Sequence, residues 1–238
     1  MAHRQTTDRY GFRFRGGENT RIEAFTDAAF AFAVTLLMIG GGHVPTDVDQ
    51  LTAALGEVPG YAASFALLCL FWHAHYTWYR RYGIEDGRSV LLSLLLVFLV
   101  LIYVYPLHMM FNVAISAGRG AAPVRSVHDW RVMYEIFGVA YASMCAVIIL
   151  FYLHALRLRD ALELSPVEIA VTRSGLWRWT IQGGIGAFSA LLAAILLTGS
   201  SNALLFALPG LAYWLIAASG FVLRWRLRRR LALIEAAA

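Results

Sequence analysis

Stretches of almost unbroken apolar sequence follow one another along this chain of 238 residues. Six can be drawn, roughly over residues 22–41, 60–79, 89–112, 132–155, 176–198 and 202–223. Each is close to the ~20 residues that a helix needs to cross a bilayer. Backbone polar groups find no water in hydrocarbon, so such stretches must satisfy themselves as helices. Hydrophobic residues make up 59% of the chain and charged residues 15%, where a soluble domain carries about a quarter charged. The chain is read as an all-α membrane protein. A polar segment over 1–20 precedes a six-helix domain over 21–223, and a basic tail follows over 224–238.

Charge gives the orientation. All twenty basic residues are arginine. Seventeen fall in the N-terminal segment, between spans two and three, between spans four and five, and after span six; only Arg119, Arg125 and Arg131 fall on the other side. This asymmetry places both termini in the cytoplasm, and it accounts for the net charge of +5 without a nucleic-acid partner. Residues 1–20 lack the apolar core of a cleavable signal, so the first span is expected to stay in the mature protein. The run Arg224-Trp225-Arg226-Leu227-Arg228-Arg229-Arg230 reads as an extension of the last helix held by anionic headgroups. Arginine for every lysine, with abundant alanine, is the composition of a high-GC prokaryote, whose plasma membrane is the expected location.

The first span carries an aspartate, Asp27, in its opening turns. A carboxylate at that depth costs several kcal/mol unless it is paired or faces water. Further along the same helix Ala28, Phe32, Thr35 and Ile39 share one face, a stripe that equally suits contact with lipid or with a neighbouring helix. Span two ends in Phe71-Trp72-His73-Ala74-His75-Tyr76, where Trp72 and His75 lie three apart on one side. In an antiparallel hairpin of spans one and two this end is level with Asp27. An Asp27–His75 contact supported by Trp72 and Arg21 is therefore expected, the imidazole N–H orienting the carboxylate.

Other features point to packing. His73 and His75 project to nearly opposite sides of a helix, so a metal site with His108 has no supporting spacing, and no resident cofactor is expected. Cys69 and Cys145 lie inside spans as small packing residues. Gly183-Gly184-Ile185-Gly186 reads as a close-packing face, since no strand precedes it. Pro106 interrupts the hydrogen bonding of span three. Residues 47–59, with apolar Val48, Leu51, Leu55 and Val58, suit a short amphipathic helix after a stop at Gly40-Gly41-Gly42. No nucleophile–base pair or nucleotide-binding pattern is present, and no enzymatic role is read.

The opening of span one, Arg21-x-x-x-Phe25-Thr26-Asp27, resembles the Arg-x-x-x-Phe-Ser-Asp signature of the transmembrane protein 175 potassium-channel family. Phe71-Trp72-x-x-His75 is similar to that family's Trp-x-x-His, and the leucine-rich span three ending at Tyr105-Pro106 to its counterpart there. The resemblance implies a homotetramer of six-helix subunits in the bilayer, with helix 1 lining a central pore for monovalent cations and potassium as the permeant ion. It implies pore layers at Phe32, Thr35 and Ile39, and a polar network of Arg21, Phe25, Thr26, Asp27, Trp72 and His75 that holds the pore helix. Thr26 replaces the usual serine, Ala28 a common glycine, Ser93 an expected asparagine, and Phe32 an isoleucine or leucine. Four phenyl rings on one axis would narrow or close a path, or offer ring faces to a cation. A secondary transporter and a non-conducting or proton-leaking protein of the same fold are the other readings of these residues.

Overall fold

In a computed structural model of the chain, residues 7–17, 19–39, 46–118, 126–198 and 203–236 are described. Among them eight helices follow one another: α1 (Arg21–Ile39), α2 (Val48–Gly56), α3 (Val58–Tyr82), α4 (Gly87–Gly118), α5 (Val127–Arg157), α6 (Pro166–Leu196), α7 (Ala203–Leu211) and α8 (Trp214–Glu235). Four segments are long and apolar enough to cross a membrane: Gly87–Ile115, Val127–Arg157, Pro166–Leu196 and Ala207–Ile234. The α2–α3 pair, bent by 43° at its junction, makes a fifth if it counts as one span. α1 is not among them; Arg21, Glu23 and Asp27 lie in its first two turns.

Local signals set the helix ends. α5 and α6 each open on a capping box, in which the side chains of Ser126 and Ser165 accept from Asp129 N and Glu168 N while the acidic side chains reach back. Pro166 at the first turn adds to the second box. This start lies ten residues before the 176 expected for the fifth span. The short amphipathic helix expected over 47–59 is α2, capped by Asp47; the Gly40-Gly41-Gly42 stop before it lies outside the described residues. α4 continues through Pro106 as one helix. The sixth stretch, expected as 202–223, divides instead. α7 ends two residues after Pro209, and α8 runs on through the arginine-rich segment to Glu235, since proline disfavours continuation of a helix.

The most extensive seam joins α5 to α6. A Cβ added to Gly138 would sit 2.6 Å from the Gly186 carbonyl oxygen, and one on Gly186 would sit 2.9 Å from the Tyr141 ring. Gly183 meets Cys145 in the same way, whereas Gly184 has open space around it. The sequence Gly183-Gly184-Ile185-Gly186 thus presents its first and last glycines to α5. α3 is tied to this pair at its far end: the Trp78 indole N–H donates to the Phe151 carbonyl at 2.9 Å, and the Tyr82 and Thr172 hydroxyls lie 2.7 Å apart. Cys69 and Cys145 are both free thiols. α1 packs on α3 and α4 at the opposite side of the subunit.

Candidate functional site

α1 has two unlike faces. Glu23, Thr26, Phe30, Ala33 and Leu37 are buried against the subunit. Ala24, Phe25, Ala28, Phe32, Thr35 and Met38 are exposed, with Phe25 at 52% and Phe32 at 55% of full accessibility. Their spacing of three and four residues makes one continuous stripe. The face predicted from Ala28, Phe32 and Thr35 is therefore the one that the subunit itself leaves uncovered. Thr35 donates its hydroxyl back to the Ala31 carbonyl at 3.1 Å. Ile39 ends the helix, and its side chain lies outside the described residues.

Asp27 does find a partner, and it is tryptophan. The Trp72 indole N–H donates to Asp27 Oδ1 at 2.8 Å, a charge-assisted bond in an apolar setting. The two residues border an open groove of 280 Å³ between α1 and α3, completed by Phe30, Ala31, Val34, Leu68 and Cys69. The expected Asp27–His75 contact is replaced. Three residues along a helix is a rotation of about 60° from facing, so Trp72 reaches α1 while His75 turns to α4. There the His75 ring lies 3.0 Å from Ser93 Oγ, which also meets the Tyr79 hydroxyl at 3.1 Å. Ser93 donates onward to the Ser89 carbonyl. Serine at this position thus sustains a polar contact where asparagine was expected. Thr26 is fully buried. Arg21 and Phe25 lie on the exposed face and take no part in these bonds; Arg21 has no partner among the described residues.

Sequence reasoning missed what holds the base of α1. Residues 7–17 are a strap laid across the ends of α3 and α6. Phe12 is fully buried, its ring edge-on to Tyr82 at 5.4 Å. Glu168, with no exposed surface, accepts from Arg13 and Arg15 through both oxygens at 2.9–3.1 Å. Arg81 pairs with Asp8 at 2.7 Å, and Arg15 and Gly16 donate backbone N–H groups to the Arg80 carbonyl. The α3–α4 turn accepts the strap closely: at Gly83, φ +58°, a Cβ would meet the Arg15 carbonyl at 2.9 Å. The chain then enters α1 through a reciprocal Thr20–Glu23 cap, with Thr20 N donating to Glu23 and Glu23 N to the threonine hydroxyl. Ser165-x-x-Glu168 was a readable signal for half of this clamp, the helix start. Nothing in the sequence linked Glu168 to arginines about 150 residues away. Among the described residues no cluster of histidine, cysteine and carboxylate side chains suited to a metal ion occurs.

Residues 21–106, which include α1, α3 and the Trp72–His75 segment, match the family model described as the endosomal/lysosomal potassium channel TMEM175. A potassium channel of Marivirga tractuosa is 30% identical over 175 residues, covering 69% of this chain and 70% of the relative. This chain belongs to the TMEM175 family. The crystal structure of a variant of the potassium channel MtTMEM175, solved with a nanobody–MBP fusion protein, matches 94% of this chain and 100% of its own, with a TM-score of 0.80 at 26% identity. The protein is thus a prokaryotic-type TMEM175 member and a multi-pass membrane protein. It is an ion channel rather than an enzyme.

Proposed function

We propose that the chain forms a potassium-preferring channel in which four copies meet around α1. Its constriction is built from apolar side chains at Phe32, Thr35 and Ile39 rather than from a loop of carbonyls. The observation that carries this reading is the uncovered stripe of α1, where an exposed phenyl ring and a threonine hydroxyl share a face that no element of the same subunit packs against. The relatives described above, named as potassium channels, support the choice of ion.

In this assembly the sixth membrane crossing is α1 itself, its charged first turns lying at the membrane edge. An apolar ring excludes ions by dewetting and conducts when a small widening admits water. The Thr35 oxygens offer a partly dehydrated potassium ion one polar ring within that stretch. Asp27 and Trp72 fix the rotation of α1 against α3, Thr26 packs beneath them, and His75 with Ser93 fixes α3 against α4. Arg21 and Phe25, which the subunit leaves free, face the neighbouring copies. Both termini lie in the cytoplasm of a prokaryotic cell, with residues 1–20 and 224–238 flanking the membrane domain over 21–223. No cofactor is needed beyond the permeant ion.

The test is flux from purified protein in liposomes under a potassium gradient and then an equal sodium gradient. Fast, potassium-preferring flux without a coupled ion supports the reading. Flux that requires a second ion moved in fixed ratio points to a transporter and contradicts it. An absence of flux under both gradients, in a protein that forms tetramers, points to a channel closed for want of its stimulus or to a relative in which the Phe32 rings seal the path.

A further inference from the structure

α6 and α8 enclose a groove of 330 Å³. Arg173, Arg226 and Arg230 line one part of it, with Ala170, Ser174 and Leu227 among them; Trp177, Ile181 and Leu223 line the other part. None of the three arginines makes an ion pair or hydrogen bond among the described residues, and no carboxylate lines the groove. This contrasts with Arg13, Arg15 and Arg81 in the same protein, each of which is bound to a carboxylate.

Position sorts these side chains along the membrane normal. Arg173 lies two turns into α6 and Ile181 two turns further on, toward the middle of the Pro166–Leu196 span. On α8, Leu223 precedes Arg226 and Arg230, which approach the end of the Ala207–Ile234 span. The groove is therefore apolar toward the bilayer centre and cationic toward the membrane surface, with Trp177 between the two, where an indole sits well at the interface. A phospholipid has the same order of polarity.

We propose that this groove binds an anionic phospholipid, its phosphate held by Arg173, Arg226 and Arg230 and one acyl chain lying along Trp177, Ile181 and Leu223. Guanidinium groups grip phosphate oxygens through paired N–H donors, and basic pockets between membrane helices recognise such headgroups. A zwitterionic lipid brings its own ammonium into the arginine cluster and is disfavoured. The site does not depend on α1 lining a pore, nor on which leaflet it occupies.

The test is native mass spectrometry of the full chain in detergent, titrated with phosphatidylglycerol or phosphatidylcholine, with and without inorganic phosphate. Wild type is expected to retain phosphatidylglycerol about tenfold better than phosphatidylcholine. The combined Arg173→Gln, Arg226→Gln and Arg230→Gln variant is expected to lose that preference. A charge-matched control, Arg224→Gln with Arg228→Gln and Arg229→Gln, removes arginines that do not line the groove and is expected to keep it. Ile181→Trp fills the apolar part without changing charge and is expected to lower phosphatidylglycerol retention several-fold, which serves if the triple variant does not fold. Equal loss in the control would reduce the effect to diffuse surface charge and overturn the site. Displacement of the lipid by millimolar phosphate would make it a free-anion site and overturn the lipid as occupant.

Discussion

The α5–α6 seam and the α1 stripe are both rich in small residues, yet the subunit treats them in opposite ways. Along the seam, Gly138, Gly183 and Gly186 let two backbones approach until no methyl group fits between them. Along α1, Ala24, Ala28 and Ala31 lie open beside exposed Phe25 and Phe32. One interface is completed within a single chain; the other stands bare. In lipid, close packing and polar contacts rather than the hydrophobic effect drive helices together. Small residues with large ones between them therefore mark where a second surface is to fit. Under the proposed function, α5–α6 is scaffold and α1 is the surface for assembly and conduction.

Substitutions separate the two roles, and the largest effect is expected in the seam. Gly186→Leu forces a side chain into the Tyr141 ring and the Gly138 carbonyl, an overlap that backbone cannot relieve. Folded, monodisperse protein should be lost; recovery at wild-type yield would show that the seam tolerates separation and that the contrast is false. Glu168→Gln comes next. It removes the charge that two arginines of the strap share, with an expected cost of about 3 kcal/mol. That figure is an upper value, because Arg13 and Arg15 keep some access to water. Thermal unfolding in detergent should show the lowered midpoint, and an unchanged midpoint would demote the strap to a passive tail.

Trp72→Phe removes the N–H that meets Asp27 and leaves a ring behind. A loss of about 1.5–3 kcal/mol is expected for a hydrogen bond to a charged group, read as reduced tetramer yield on size-exclusion chromatography. Asp27→Asn should act in the same direction. Normal tetramer yield in both would mean that the pair does not orient α1. Phe32→Ala is expected to change stability least, since the ring touches little of its own subunit. Its effect should appear in transport, as raised leak and weaker discrimination against sodium. Identical flux and selectivity would remove Phe32 from the path.

The parts of this architecture visible in the sequence were those with a local cause. Periodicity grouped Ala28, Phe32 and Thr35 on one face of α1 without saying what that face would meet, and a carboxylate in an apolar helix required a partner for Asp27. The identity of that partner turned on a rotation between Trp72 and His75, which sequence spacing alone resolves poorly when two candidates are three residues apart. The Ser165-Pro166-x-Glu168 cap and Pro209 are local signals in the sequence, yet hydropathy alone drew spans over 176–198 and 202–223 and so missed the earlier start of α6 and the division of α7 from α8. The strap was not legible. Its bonds join Asp8 to Arg81 and two arginines to Glu168, and only the folded chain brings partners so distant in sequence together. A polar, arginine-rich N-terminus looks the same whether solvated or clamped.

The central claim is that the open face of α1 borders the ion path. Replacing Thr35 with cysteine and adding a charged, membrane-impermeant thiol reagent to conducting liposomes tests it most directly. Wild type, whose cysteines are Cys69 and Cys145 within the helices, serves as the background. Rapid block of flux in Thr35→Cys, absent in wild type and slowed by high potassium, is the predicted result. Full modification of that cysteine with flux unchanged would contradict the claim and move the pathway away from α1.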